Sequence, residues 1–390
     1  MIVLGIESTA HTFGVGIVEN GKILANQRDM YTTESGGIIP MESAKHHVAI
    51  KDFVYFNALD EAGIKKEDID VIAFSQGPGL APCLKIGMEF AKELSKKLSK
   101  PVVGINHCIA HLEIGKLTGA KDPVMLYVSG ANTQIIAYAA GKYRVFGETL
   151  DLGVGNFIDT VARFMGEGFP GGPRIQELAS RGKKYIELPY KVKGMDIALA
   201  GIQTNLKRLI ENLHLKDCSQ QVARIDGSHS TSSECSLKKS VKGEGLSHSG
   251  YQLNNDVKSF IINSKKSERQ RANYTKEDIA YSLQETVFAM LVETAERALA
   301  HTGKNELLLG GGVACNSRLQ EMCKKMCDER IEKTKMFVPP RSLLVDNAAM
   351  IAFLGEIMFK RKCNIYDYKN LKKLDFNPRQ RTDDVNVGWK

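Results

Sequence analysis

The feature of this sequence that most constrains its fold is a three-strand pattern that occurs twice. In each copy two apolar segments flank a polar turn, and a two-residue turn then leads into a third segment. The first copy comprises IVLGIE (2–7), FGVGIV (13–18) and KILANQ (22–27), and the second comprises VMLYVS (124–129), TQIIAYA (133–139) and YRVFGET (143–149). Asn20-Gly21 is typical of a tight hairpin, and Ala140-Gly141 lies at the same place in the second copy. Two such meanders predict an internal duplication.

The segments after each meander also match in outline. VIAFS (71–75) runs into the glycine-rich loop SQGPGL (75–80), a predicted helix near 83–99 and a further strand, PVVGIN (101–106). In the second half ELLLGGGVACNSRL (306–319) predicts another strand, glycine-rich loop and helix. Strands that alternate with helices indicate a mixed α/β sheet in each half. We therefore expect the functional site in the cleft between the halves, where strand ends and helix starts converge.

Composition excludes several classes of protein. The chain has 390 residues, 43% of them hydrophobic, which is enough for a sizeable core. No apolar run approaches the ~18 residues of a membrane helix, and the start, MIVLGIES, lacks the cationic segment of a secretory signal. Eight scattered cysteines favour a reducing cytoplasm over a disulfide scaffold. The net charge of +8 is compatible with an anionic partner such as RNA and equally with a solvated basic surface.

One segment breaks the α/β pattern. Residues 213–273 are rich in Ser, Lys, Asn and Gln and show no apolar periodicity over 230–250. Such a segment cannot bury enough apolar area to offset its ordering entropy. We interpret 213–273 as a disordered insertion in a loop.

The sharpest chemical motif is HCIAH, from His107 to His111, directly after the strand PVVGIN. Residues four apart lie on one helix face, so both imidazoles would reach one metal ion; two ordinary histidines are the alternative. Position 108 is Cys, so the HExxH motif of metalloproteases is absent. A third ligand would come from elsewhere. Asp346, before an apolar helical run, is one candidate, with helix capping as its alternative role, and Tyr127, with packing as its alternative, is the other.

Glycine-rich loops form a second set of candidate binding elements. There are five: SQGPGL (75–80), YVSGANT (127–133), LDLGVGNF (150–157), GFPGGP (168–173) and LGGGVACN (309–316). Each would serve as a tight turn, but five in a duplicated α/β chain favour a nucleotide cleft, since glycine lets the backbone approach a ligand closely. Asp159 and Gln176 lie near two of these loops and would contact a ribose or only solvent.

Taken together, these motifs resemble the universal tRNA threonylcarbamoyl transferase family, most closely its archaeal and eukaryotic branch, which works in the KEOPS complex. The resemblance covers nearly the whole chain outside the insertion. It is carried by GIESTAHTFGVGIV (5–18), SQGPGL (75–80), GINHCIAHLEIGKL (104–117), YVSGANTQIIAY (127–138), YRVFGETLDLGVGN (143–156), FPGGP (169–173), KGMDIALAGI (193–202), GGVACN (311–316), DNAAMIA (346–352) and RQRTDDVNV (379–387).

The resemblance implies a two-lobed, duplicated fold of the actin, hexokinase and heat-shock-ATPase (ASKHA) type. The implied lobes are 1–122 and 123–360, followed by a tail, 361–390, that packs on both. It implies transfer of the threonylcarbamoyl group from threonylcarbamoyl-AMP to N6 of adenosine 37 in tRNAs that read ANN codons. A catalytically weak nucleotide-binding scaffold and an ATPase or kinase of the same fold are the alternatives.

The resemblance also implies the site residues. His107, His111 and Asp346 would be the catalytic metal ligands, with Tyr127 an additional ligand and Fe²⁺ or Zn²⁺ as the single divalent metal. A substrate pocket for the nucleotide would be formed by Tyr127, Val128, Ser129, Gly130, Ala131, Asp159, Gly172, Gln176 and Asn316. No general base is evident, and none is needed if the metal-bound phosphate takes the proton. Ala131, Gln176 and the segment ALAG (198–201) depart from the family's usual Gly, Glu and SFSG.

The implied partners are tRNA, a small kinase-like ATPase and a small dimerising subunit of KEOPS. A separate synthase would supply the activated adenylate. No membrane is involved, and the implied location is the cytoplasm.

Overall fold

The computed structural model describes residues 1–34, 37–225 and 274–390. The predicted disordered insertion, 213–273, lies outside the described residues from 226 onward. Its first residues differ from the prediction, because the helix that begins at Ala200 continues to Ile225. Ile202, Leu206 and Ile210 recur at four-residue spacing on the buried face of this helix, which is the period of an amphipathic helix.

Strands and helices alternate through the described residues. The strands in chain order are β1 (Ile2–Glu7), β2 (Thr12–Glu19), β3 (Lys22–Met30), β4 (Val71–Gly77), β5 (Val102–Asn106), β6 (Val124–Val128), β7 (Thr133–Ala139), β8 (Lys142–Glu148), β9 (Val192–Lys193), β10 (Asp196–Ile197), β11 (Glu306–Gly310), β12 (Lys335–Phe337) and β13 (Ile365–Tyr366). The helices are α1 (Pro40–Ala62), α2 (Ala81–Leu98), α3 (His107–Gly115), α4 (Val154–Phe164), α5 (Gly171–Arg181), α6 (Ala200–Ile225), α7 (Lys276–Thr302), α8 (Ser317–Glu329), α9 (Arg341–Leu344) and α10 (Ala348–Lys360). Within these described helices, none is both long and apolar enough to cross a bilayer.

The two large sheets share one strand order, as the repeated meander predicts. The first sheet has the order β13-β5-β4-β1-β2-β3, and the second has the order β12-β11-β6-β7-β8. In each, an antiparallel meander continues through its first strand into two parallel strands. Both meander turns have two successive positive φ angles, 50° and 80° at Asn20-Gly21 and 51° and 78° at Ala140-Gly141, the geometry of a type I′ hairpin. The predicted mixed α/β class is confirmed.

Helix α10 crosses the first sheet at very short range. A Cβ added to Gly5 of β1 would lie 2.5 Å from the carbonyl oxygen of Ala348, and one added to Gly16 of β2 would lie 2.5 Å from the carbonyl carbon of Ala348. Only glycine in the strands allows the helix backbone to approach so closely. The interpreted boundary, 123–360, puts this helix in the second lobe, whereas the helix packs on the first sheet; it thereby brings Asp346 to the end of that sheet.

We expect replacement of Gly5 by alanine to destabilise the protein, because the new methyl group overlaps the backbone of α10. The expected loss in the free energy of unfolding is about 3 kcal/mol, the upper range for overpacking a core. The matched control is Gly201→Ala in the first turn of α6, where an added Cβ meets nothing within 4 Å and the change is expected to stay within about 0.5 kcal/mol. Thermal unfolding followed by circular dichroism measures both. Equal Tm values for the two variants would contradict the close approach.

The C-terminal segment, 361–390, runs along both halves of the chain. The carbonyl of Pro378 accepts a hydrogen bond from the amide of Gly79 in the first half (3.2 Å). The hydroxyl of Thr382 donates to the side-chain oxygen of Gln134 in the second half (3.0 Å). This segment therefore ties the glycine-rich loop after β4 to strand β7 of the second sheet.

Candidate metal centre and substrate cavity

The two histidines of the HCIAH motif open helix α3 at the end of β5. The side chain of Asn106 caps this helix by accepting the amide hydrogen of Ile109 (3.1 Å), so the helix starts abruptly and His107 occupies its first position. His111 follows one turn later on the same face. The two ring centroids are 4.8 Å apart, and both side chains are buried.

Asp346 completes a three-residue cluster with these histidines. Its Oδ1 lies 3.4 Å from the Nε2 of His107 and 3.4 Å from the Nε2 of His111. The alternative role, helix capping, belongs instead to Asn347, whose side chain accepts the amide hydrogen of Met350 (3.0 Å). The carboxylate of Asp346 is therefore left to face the imidazoles. One ligand atom from each of the three residues lies within 4.8 Å of the others.

Glu7 is a further member of this cluster that sequence analysis missed. It ends β1, is fully buried, and lies with its Oε2 3.0 Å from the Nδ1 of His107. Thr9 donates both its amide and its hydroxyl hydrogen to the other carboxylate oxygen. A carboxylate at Nδ1 makes that nitrogen a donor and leaves the Nε2 lone pair of His107 for a metal. An acidic residue at the end of an apolar strand was the available signal.

Tyr127 lies against the same imidazoles at the end of β6. Its ring centroid is 5.1 Å from that of His111. Within the described residues its buried hydroxyl makes no hydrogen bond of normal geometry, and the hydroxyl of the neighbouring Ser129 donates to the carbonyl of Asn132 (2.8 Å). Burial raises the pKa of the Tyr127 hydroxyl well above its ordinary value. An orphaned buried oxygen beside two imidazoles is unusual and suits a ligand position.

The cluster carries opposing pKa shifts. Burial acts to lower the pKa of His107, but the charge of Glu7 and the hydrogen bonds to Asp346 and Glu7 raise it well above its ordinary value. Burial acts to raise the pKa of Asp346, but the hydrogen bonds and charges of the two histidines hold it well below its ordinary value. Burial lowers the pKa of His111. The carboxylates therefore favour the charged form of His107, whereas burial disfavours the charged form of His111.

This donor set fits a divalent first-row metal. Two imidazole nitrogens and one carboxylate oxygen converge, the orphaned Tyr127 hydroxyl lies beside them, and Glu7 orients one imidazole from behind. Such N and O ligands suit Fe²⁺ or Zn²⁺. The geometry does not suit a protease of the HExxH type, since Cys108 between the histidines is buried and burial raises the pKa of its thiol.

A cavity of about 590 Å³ opens onto the cluster. Its wall combines residues from both halves of the chain, among them His107, Asp346 and five of the predicted substrate residues. Those five are Tyr127, Ser129, Gly130, Ala131 and Asp159. Residues of the loops 75–80, 127–133, 150–157 and 168–173 line it as well. Four of the five glycine-rich loops therefore meet at one cavity, as expected of a cleft between the halves.

Four predicted substrate residues lie outside the described cavity wall. Val128 is buried within β6. Gly172 lies in the first turn of α5, the side-chain amide of Gln176 donates to the hydroxyl of Ser317 (3.1 Å), and the side chain of Asn316 caps α8. The loop 309–316 that carries Asn316 likewise contributes no described wall residue. Their predicted substrate roles stay predictions.

The glycines around Gly130 allow the loop and helix α4 to pack closely. They leave no free backbone N–H at the start of α4 for a ligand. The amides of Gly155 and Asn156 donate to the carbonyls of Ser129 (3.0 Å) and Gly130 (2.9 Å). A Cβ on Gly155 would lie 2.7 Å from the Cα of Gly130. The loop and the helix are thus in backbone contact, and the amides that the helix would otherwise present are already bonded.

The comparisons with known proteins agree on one family. A sequence model described as tRNA N6-adenosine threonylcarbamoyltransferase matches residues 21–353. Proteins with that name from Thermococcus sibiricus and Thermococcus kodakarensis are each 46% identical over 389 residues, which is 100% of this chain and of theirs. A probable bifunctional tRNA threonylcarbamoyladenosine biosynthesis protein of Thermoplasma volcanium is 42% identical over 390 residues, 100% of this chain and 62% of that protein.

Among solved structures, HypF of T. kodakarensis shares the fold. It superposes with a TM-score of 0.55 at 13% identity, over 92% of this chain and 47% of that chain. At that identity the likeness concerns the fold alone.

Proposed function

Because the chain belongs to the tRNA N6-adenosine threonylcarbamoyltransferase family, we propose that it transfers a threonylcarbamoyl group from threonylcarbamoyl-AMP to N6 of adenosine 37 in tRNAs that read ANN codons. The chain is a transferase of that family. The metal requirement, the adenylate donor and the tRNA set are the proposed parts. The observation that carries them is the cavity whose wall contains His107 and Asp346 together with Tyr127 and residues 129–132.

We propose that His107, His111, Asp346 and Tyr127 hold one divalent metal, Fe²⁺ or Zn²⁺, which when bound supplies Lewis-acid polarisation of substrate oxygens. The convergence of their ligand atoms and the orphaned hydroxyl support this assignment. The carboxylate of Glu7 orients the imidazole of His107 through the Nδ1 of that ring. A mixed anhydride held against this cluster has its carbamoyl carbon fixed for attack, so positioning supplies much of the rate.

The polar groups of the cavity suit an anionic adenylate and an RNA base. Ser129, Gly130 and Ala131 form one wall, and Asp159 faces them from α4. Arg163, one turn further along α4, is the sole Lys or Arg among the described wall residues. Its guanidinium provides a fixed positive charge for the phosphate or carboxylate of the donor, or for the tRNA backbone. The cavity also admits a splayed base, the usual way in which proteins reach a loop nucleotide.

We further propose a two-lobed ASKHA fold with lobes 1–122 and 123–360 and a tail 361–390. We also propose that the protein acts in the cytoplasm and works within a KEOPS complex. In that complex tRNA, a small kinase-like ATPase and a small dimerising subunit would be the partners, and a separate synthase would supply threonylcarbamoyl-AMP. The shared strand order of the two sheets supports the duplicated fold.

A transfer assay tests the proposed function. The protein, with the candidate partner subunits, receives threonylcarbamoyl-AMP and an unmodified ANN-decoding tRNA, and the nucleosides are read by mass spectrometry. The expected product is modified adenosine 37, with none from a matched tRNA that carries guanosine at 37. ATP turnover that needs no RNA, without nucleoside product, would favour the kinase or ATPase alternative. If the folded protein gives no nucleoside product and no ATP turnover, the scaffold alternative is favoured.

A further inference from the structure

The proposed transfer needs a proton acceptor in the cavity. As N6 of the adenosine attacks the carbamoyl carbon, that nitrogen becomes cationic and must lose one hydrogen before the product is stable. The described wall offers six titratable side chains. They are His11, His107, Tyr127, Asp159, Arg163 and Asp346. The departing phosphate is one possible acceptor, and a wall side chain that acts in its place must offer a lone pair to the hydrogen of N6.

Most of these six side chains are poorly suited to accept the proton. His107, Tyr127 and Asp346 belong to the proposed metal centre. Arg163 carries only donors and has no lone pair to offer. Asp159 uses its Oδ1 to accept the amide hydrogen of Gly171 (2.8 Å), which fixes it between α4 and the start of α5.

His11 remains, and its surroundings suit the task. It lies on the turn between β1 and β2, where its carbonyl accepts the amide hydrogen of Tyr31 (2.9 Å). Its ring stands edge-on to Phe169 from the other half of the chain, with centroids 5.3 Å apart and planes at 89°. Both rings line the cavity. Between described residues the imidazole takes part in no ion pair or side-chain hydrogen bond, so its nitrogens are available to a substrate.

We propose that His11 is the general base of the transfer, an inference that rests on the function proposed above. The N6 lone pair forms the new bond to the carbamoyl carbon. The bond between that carbon and the phosphate oxygen breaks, and its electron pair leaves with AMP. The hydrogen of N6 passes to a neutral ring nitrogen of His11 and then to solvent, since the side chain is partly exposed. No oxidant, reductant or further reactant is needed.

The charged groups near His11 favour movement of the proton from N6 to the imidazole. Asp159 on α4 interacts electrostatically with His11, and a carboxylate stabilises the imidazolium that forms. His47 on α1 is the other titratable neighbour, and burial together with His46 lowers its pKa to about 4. His47 therefore stays neutral between pH 5 and 8 and adds no titration of its own there. The remaining charges of the wall are Arg163 and the cluster of His107 and Asp346.

The test compares His11→Ala and His11→Gln with the wild type in the assembled, metal-loaded enzyme, using threonylcarbamoyl-AMP and tRNA. The expected fall in kcat is about 10²–10⁴-fold, with KM for both substrates and metal content unchanged. Added imidazole raises the rate of His11→Ala and leaves that of the wild type unchanged.

A matched control is His301→Ala, because His301 also packs against a phenylalanine ring, Phe146, with centroids 5.7 Å apart, and is not a wall residue. Its kcat is expected to equal that of the wild type. A kcat within threefold of wild type for both His11 variants would overturn the proposal and assign the proton to the departing phosphate. A loss of rate matched by a loss of metal or of substrate binding would also overturn it. A wild-type protein that forms no product overturns the proposed function itself.

Discussion

Replacement of Asp346 by alanine is expected to abolish metal binding and transfer together. Two imidazoles remain in the variant, but the carboxylate that approaches both of them at 3.4 Å is lost. Divalent metals in catalytic sites are held by about three protein ligands, so we expect metal affinity to fall by at least about 10³-fold, or ~4 kcal/mol. Transfer is expected to fall below detection in the same preparation.

The measurement is metal content by inductively coupled plasma mass spectrometry alongside the transfer assay. Asp383→Ala is the matched control, because this carboxylate is partly exposed, lies on the C-terminal segment and is paired with Arg381. We expect that control to keep both metal and activity. An Asp346→Ala protein that is metal-free and still active would refute the assignment of the metal to catalysis.

Replacement of Glu7 by glutamine is expected to weaken metal binding without removing a ligand. The amide keeps the size of the side chain but loses the charge that accepts from Thr9 and faces the Nδ1 of His107. Loss of such an outer partner typically costs 10–100-fold in metal affinity, about 1.4–2.8 kcal/mol. Competition with a chromophoric chelator at fixed pH measures the dissociation constant.

The matched control for this variant is Glu356→Gln. Glu356 is also buried and also accepts a backbone amide hydrogen, from Gly21 (2.7 Å), but it lies on α10 away from the cavity wall. We expect a loss of stability in the control and an unchanged metal affinity. If both variants lose affinity equally, Glu7 acts through general stability and does not orient His107.

Much of the secondary structure could be predicted because it depends on local patterns. The apolar segments of both meanders, and the turns at Asn20-Gly21 and Ala140-Gly141, are short-range signals that the structure bears out. The HCIAH spacing likewise puts two imidazoles on one helix face whatever surrounds them. Local patterns failed at the end of α6, where the helix extends to Ile225 in spite of its polar composition.

The parts that escaped prediction depend on contacts between distant segments. Glu7 meets His107 only because β1 and β5 lie on either side of β4 in the first sheet. Helix α10 returns to that sheet because glycines at 5 and 16 leave room for it, and nothing in the local sequence of α10 indicates this. His11 and Phe169 meet across the cavity from opposite halves of the chain. The residues of the cavity wall therefore come together only in the tertiary fold, and no single sequence motif predicts their proximity.

The proposed function depends on one metal, held by His107, His111 and Asp346, that serves the transfer of threonylcarbamoyl to tRNA. The most direct measurement is metal content and modified adenosine 37 in one sample, for the wild type as purified, after chelation, and after return of Fe²⁺ or Zn²⁺, beside a His107→Ala/His111→Ala variant. We predict about one metal per chain, loss of product on chelation, and recovery on return of the metal in the wild type only. Full transfer by the chelated wild type, or by the double variant, would contradict a metal-dependent transfer.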